Sequence, residues 1–332
     1  MFRSNSAREE ASRTILQARA ALVSDTESDN LSVDSFDDQM LLYMHKSSLY
    51  SCKQRRLLNN RKLTFSSLGK NSFDDREGPD NIHPLTLVPS VLLKALRLPL
   101  DRLGQSTGLL DDFLDAAGDL KSANVVGLSE KERCAFYINL YHIMVIHGQL
   151  LFGPPTTTFG SNSFVNHFSV VAYEVGDDIF SLSELEHNII RAPMNSPSQF
   201  ASRFVLPKSY YKHALKKADY RLNFALNCGS VSNPQHVRVF HADSLDEDLH
   251  KAMKDYLVVA KVSSNGKTIT LPKICQWYSS DFGRKHIDVL RLCVPHLEES
   301  DKIRLPSNLS GIHTRYLGFD FKCRPLKLKV EV

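Results

Sequence analysis

The sequence predicts an α+β fold: a central buried helix packed with short antiparallel strands and hairpins, and several surrounding helices. Three observations carry that prediction. A nearly unbroken apolar run over residues 134–151 follows Ser129 and Glu132, which are spaced as a capping box, so one long helix is apolar on every side. Short stretches of alternating polarity recur and are bounded by Gly, Asp, Asn or Pro. The regular strand–helix repeat of a doubly wound sheet does not occur, and no internal repeat is visible.

Taken in order, regular structure begins near residue 84, after Gly78, Pro79 and Asp80. Residues 85–98 and 109–120 are apolar at helical spacing, with Asp101, Arg102 and Gly104 between them, and residues 84–127 read as a helical lead-in. The central helix carries Asn139, Tyr141, His142 and His147, polar groups that need partners inside a core. Residues 169–175 alternate as a strand, Gly176 to Asp178 turn the chain, and Ile179 and Phe180 begin the return. Ser181 and Glu184 form a second capping box, with Phe180 and Leu185 as the hydrophobic staple, for a short helix ending at Arg191. Residues 193–211 read as a surface loop.

Leu222, Phe224 and Leu226 alternate as a strand that ends at Asn227, Cys228, Gly229 and Ser230. Asn233 and Pro234 then turn the chain into a strand at 237–240. Ser244 and Glu247 make a third capping box, for a helix to about residue 260. Asn265-Gly266 is a type I′ hairpin signal between residues 261–262 and 268–271. Pro272 opens a short helix through Trp277 and Tyr278, and an amphipathic helix runs over 284–297.

The chain has 332 residues and a net charge of +4, with 42% hydrophobic and 23% charged residues, which is ordinary globular usage. No apolar run reaches the roughly 20 residues that span a bilayer, so a soluble protein is expected. Cysteines 52, 134, 228, 275, 293 and 323 are scattered, without a C-x-x-C pair, which argues for reduced thiols rather than a disulfide framework or a closed zinc site. An intracellular, cytoplasmic setting follows.

The first 80 residues are patterned differently. Residues 25–38 hold six acids and no base among serines, and residues 46–70 hold seven bases and no acid. Such blocks bury too little apolar surface to offset the entropy of ordering, so residues 1–80 read as a disordered charged tail. Its serines, and the Arg61-Lys62-Leu63-Thr64 run, offer a kinase hydroxyls whose phosphates pair with the basic block or with a phospho-dependent partner. The basic block has few aromatics for base stacking, and no nucleic-acid partner is expected.

No dinucleotide fingerprint, complete phosphate loop, nucleophile elbow or H-E-x-x-H motif is present, and no metal or cofactor is implied. The informative constellation surrounds Cys228. A cysteine followed by Gly229 and Ser230 sits where a sharp turn exposes backbone N–H groups that lower a thiol's pKa or hold an oxyanion. His187 is its partner on paper, with Glu186 adjacent and Arg191 four residues on, on the same helical face. Asn139 and His147, about 80° apart around the central helix, are candidates to face the same cleft.

These motifs, in order, resemble a known family. Residues 136–141 through His147, then Leu185-Glu186-His187 through Arg191, then residues 224–230 with Pro234 and residues 238–240, then residues 271–274 through Trp277-Tyr278 and Asp281-Phe282, are similar to the family called domain of unknown function 547. The resemblance covers about residues 128–283, and residues 318–321 look like its C-terminal end, giving a domain over 128–325. The family usually has Trp at Tyr137, Asn at His142 and often His at Asn223. The resemblance implies an α+β domain without an established activity, and its Cys, Glu-His and Arg invite a fold-level comparison with papain-like and transglutaminase-like proteins.

Two functional readings stand side by side. One is a thiol-dependent hydrolase or acyl/amide transferase, with Cys228 as nucleophile, His187 as base and then acid, Glu186 or Asn139 orienting the imidazole, Gly229 and Ser230 N–H groups as oxyanion donors, and Arg191 binding a substrate carboxylate. The other is a non-catalytic interaction module whose polar motif residues lock the fold and whose tail is regulated by phosphorylation.

Overall fold

The computed structural model describes residues 55–59, 82–98, 107–156, 164–196, 209–283 and 285–329. The acidic block of the tail and most of its basic block lie outside the described residues. Five residues of the basic block do not behave as a tail. Strand β1, Arg56–Leu57, pairs parallel with a strand more than a hundred residues away, and the Asn59 side chain exchanges two hydrogen bonds with the Glu174 backbone, at 2.8 and 3.1 Å.

Helix α1, Pro84–Leu96, begins with a proline whose missing N–H is no loss in a first turn, and His83 caps it by accepting from the Leu85 N–H. Helix α2, Thr107–Asp119, follows, and the two pack together beside the central helix α3, Glu130–Phe152. Ser129 and Glu132 form the expected reciprocal box at the start of α3, and every residue from 134 to 149 is buried. By length and composition α3 could cross a bilayer, which corrects the expectation from apolar runs alone, yet most of it lies inside the protein.

Helix α4, Phe164–Val170, takes up residues expected to begin a strand, and β2 is confined to Val171–Val175. A turn at Gly176, with φ +58°, reverses the chain into β3, Asp178–Ser181, in antiparallel register with β2. Ser181 and Glu184 close the second expected box on α5, Leu182–Glu184, which continues as a π-helical turn over Leu185–Ile190.

The expected strand at 222–226 is instead the helical turn α6, Leu222–Ala225. Its Leu222, Phe224 and Ala225 are all buried, so the segment has no solvent face for alternation to report. Strand β4, His236–Val237, is shorter than expected. Helix α7, Leu245–Leu257, lacks the third capping box: Ser244 donates to the Asp248 carboxylate instead. Strands β5, Lys261–Val262, and β6, Thr268–Leu271, form the expected hairpin. The Gly266 N–H returns to the Ser263 carbonyl, so Asn265 and Gly266 close a four-residue turn rather than a two-residue type I′ loop.

Short helices α8, Ile274–Trp277, and α9, Ser279–Phe282, precede α10, His286–Cys293, and α11, Glu299–Lys302. Strand β7, His313–Tyr316, runs parallel to β6, and β8, Lys327–Leu328, runs parallel to β4. The fold is α+β, but its hairpins are joined by parallel pairings that bring in distant segments. One apolar cluster surrounds α3; a second, built on α7, β6, α8 and α10, meets it at Trp277.

Candidate functional site

Asn227, Cys228 and Gly229 follow α6 and lie against one face of α3. His142 Nε2 accepts the Asn227 N–H at 3.3 Å. Gln149, seven residues further along α3 and so only about 20° around it, abuts Gly229: a Cβ there would lie 2.5 Å from Gln149 Nε2. Gly229 adopts φ +80°, so the position needs glycine for its backbone as well as for space.

Cys228 alone among the described cysteines is not fully buried. Its Sγ accepts from Asn233 Nδ2 at 3.2 Å and from the Ser230 N–H. Burial nevertheless pushes the thiol up to about 12, and the nearby Glu186 carboxylate adds to the rise. Glu186 sits half-buried in the π-helical turn. Tyr141 donates to Glu186 Oε2 at 3.0 Å, and Glu186 Oε1 lies 3.8 Å from His187 Nε2. Burial lowers the His187 pKa, opposed by Glu186 and assisted by Arg191. Among the described residues no hydrogen bond joins Cys228 to His187 or to Glu186; the Glu186 carboxylate acts on the thiol through its charge and lies 3.8 Å from His187 Nε2.

Other candidates have different surroundings from those expected. Arg191 ends the π-helical turn with its guanidinium committed to Asp281 at 2.9 Å, to the Asn223 side chain and to the Asn195 carbonyl, over the Tyr278 ring. It is 4% exposed and holds a counter-ion already, so it is not placed to receive a substrate carboxylate. Asp281 is that counter-ion. Asn139 exchanges hydrogen bonds with the Phe240 backbone at 2.8 and 2.9 Å, whereas His147 Nδ1 meets the Tyr173 hydroxyl at 2.7 Å; they serve different neighbours and share no cleft. The Gly229 N–H is taken by Asn227 Oδ1 at 3.0 Å, which removes it as an oxyanion donor, while the Ser230 hydroxyl donates to the Asp320 carbonyl.

Residues 319–324 cross this turn as a strap. The Val231 N–H reaches the Lys322 carbonyl, the Arg324 N–H reaches the Gly229 carbonyl at 2.7 Å, and Phe319 and Phe321 pack on Trp277. A cavity of about 240 Å³ lies elsewhere, between α1, α3 and residues 240–243; Asn139 lines it and Cys228 does not. Among the described residues no three His, Cys, Asp or Glu side chains gather as metal ligands.

Sequence reading missed Asn233, Gln149 and Asp281 as neighbours of the site. Asn233 was legible only as a turn residue. Gln149 had a signal, its two-turn spacing from His142, that an apolar run conceals.

No curated protein and no solved structure matches the chain. The motifs after residue 257, including Trp277 and the strap, lie beyond the family match and are joined to it by the contacts above. Within that frame, residues 125–257, which carry α3, the Glu186-His187 turn and Cys228, match the model of the family described as protein of unknown function, DUF547.

Proposed function

We propose that the domain is a thiol-dependent hydrolase or acyl/amide transferase with Cys228 as its nucleophile. One observation carries the reading: the single partly exposed cysteine among those described receives N–H donors at its sulfur from Asn233 and Ser230, within the field of a carboxylate that itself lies 3.8 Å from a histidine. The donors favour negative charge at the sulfur, and Glu186 with His187 provides the route by which the thiol proton leaves. With the thiol held up to about 12, the resting centre is protonated, and attack proceeds as the proton moves.

A second reading, a non-catalytic interaction module, is favoured by the raised thiol and by the internal bonds of Asn139, His147 and Arg191. In that reading the motif residues lock the fold, and the tail, with its kinase and phospho-dependent partner, is the regulated part.

Labelling at each cysteine, read by mass spectrometry from pH 6 to 11, separates the two with a Glu186→Gln variant. Removing that carboxylate lowers the Cys228 pKa, so alkylation by iodoacetamide at pH 9 is expected to rise severalfold. Acylation by an activated ester is expected to fall by about tenfold to a hundredfold, because the proton acceptor is gone. A wild-type protein that forms no acyl adduct at Cys228 leaves the interaction module as the reading.

A further inference from the structure

A core carboxamide with no partner is costly, and native proteins seldom keep one without a use. Gln149 is 4% exposed, and neither its Oε1 nor its Nε2 has a hydrogen-bond partner. Its amide end lies against Gly229, in the turn that carries Cys228. Because both ends of the carboxamide are free, either orientation can present an N–H to the turn. The other donors there are allocated: the Gly229 N–H to Asn227 Oδ1, and Asn233 Nδ2 with the Ser230 and Cys228 N–H groups to the sulfur.

We infer that Gln149 is the oxyanion donor of the Cys228 centre, binding the carbonyl oxygen of an ester or thioester as the sulfur attacks it. The assignment rests on the acyl-transfer reading above and adds a catalytic residue to it. In the step, the Sγ–C bond forms, the carbonyl oxygen becomes an oxyanion held by Gln149 Nε2, and the thiol proton passes to Glu186. The C–O or C–S bond to the leaving group then breaks, and the leaving group departs as an alcohol or thiol with that proton. Water completes the cycle by releasing the carboxylic acid and restoring the thiol. The close fit of Gln149 to Gly229 admits no side chain at residue 229.

The test compares two reactions of one sulfur. Acylation by 4-nitrophenyl acetate passes through an oxyanion, whereas alkylation by iodoacetamide at a saturated carbon does not. Both rates are measured at Cys228 by intact and peptide mass in the full chain, its Gln149→Ala and Gln149→Glu variants, and Cys228→Ala, with circular dichroism to confirm folding. The expected result is acylation slowed about 100-fold in both Gln149 variants, with alkylation within about twofold of wild type. Variants that acylate at the wild-type rate overturn the assignment while leaving the acyl-transfer reading in place. Acylation and alkylation that fall together, or variants that do not fold, make Gln149 a structural support and overturn the assignment too. Absence of wild-type acylation at Cys228 overturns the acyl-transfer reading, and the assignment with it.

Discussion

His142, His147 and His167 are sealed in the core, and burial lowers their pKa values to about 4, 3 and 4. Unfolded imidazoles titrate near 6.5, so between these values the unfolded chain binds more protons than the native one. The stability tied to neutral rings is therefore complete above about pH 6.5 and is lost as pH falls toward 4 for His142 and His167 and toward 3 for His147. At pH 5 each ring costs roughly 2 kcal/mol, and thermal melts from pH 8 to 5 are expected to show Tm falling progressively below pH 6.5. A Tm flat to pH 5 would contradict neutral burial. Asn139→Ala leaves the Phe240 N–H and C=O without partners and is expected to cost roughly 3 kcal/mol, read as a lower urea midpoint. The need for partners at Asn139 and His147 was legible in the sequence. Which partners they take was not, because Phe240 lies 101 residues from Asn139 and no local spacing encodes such a contact.

Helix starts were the most legible elements. Ser129 with Glu132 and Ser181 with Glu184 form their boxes because the reciprocal bonds are made within four residues. Ser129→Ala is expected to cost about 1 kcal/mol in chemical denaturation, with the largest rise in amide exchange in the first turn of α3. Where tertiary contacts decide, local reading failed. Ser244 has the box sequence but finds the buried Asp248 carboxylate closer to hand, and α6 alternates like a strand while packing as a helical turn. The π-helical turn was legible only as a helix. Its extra residue per turn is fixed by what Glu186, His187 and Arg191 meet around it, and those partners, Tyr141 and Asp281, come from distant segments.

At the scale of the molecule, distant stretches are tied back by parallel pairing: β1 onto β2, β7 onto β6 and β8 onto β4. The sequence showed the hairpins, whose turns are local, but not these closures. The strap over Cys228 closes differently, through an antiparallel bridge between Ser230 and Cys323, and Phe321, 5% exposed, anchors it between Trp277 and Phe164. Phe321→Ala is expected to cost about 3–5 kcal/mol and to speed alkylation of Cys228 severalfold, read by urea denaturation and by peptide mass. Unchanged labelling would separate the strap from access to the sulfur.

The strap also sets a timetable. Cys323, whose thiol rests on the Cys228 carbonyl, is 95 residues later in the chain. At about 5–20 residues per second, a ribosome needs on the order of 5–20 s to travel between them. For that interval the strap does not yet exist, so once Cys228 leaves the ribosome its thiol has no such cover from electrophiles or oxidants in the surrounding fluid. Damage at this sulfur should therefore track the speed of translation, falling when elongation is fast and rising when it stalls between codons 228 and 323.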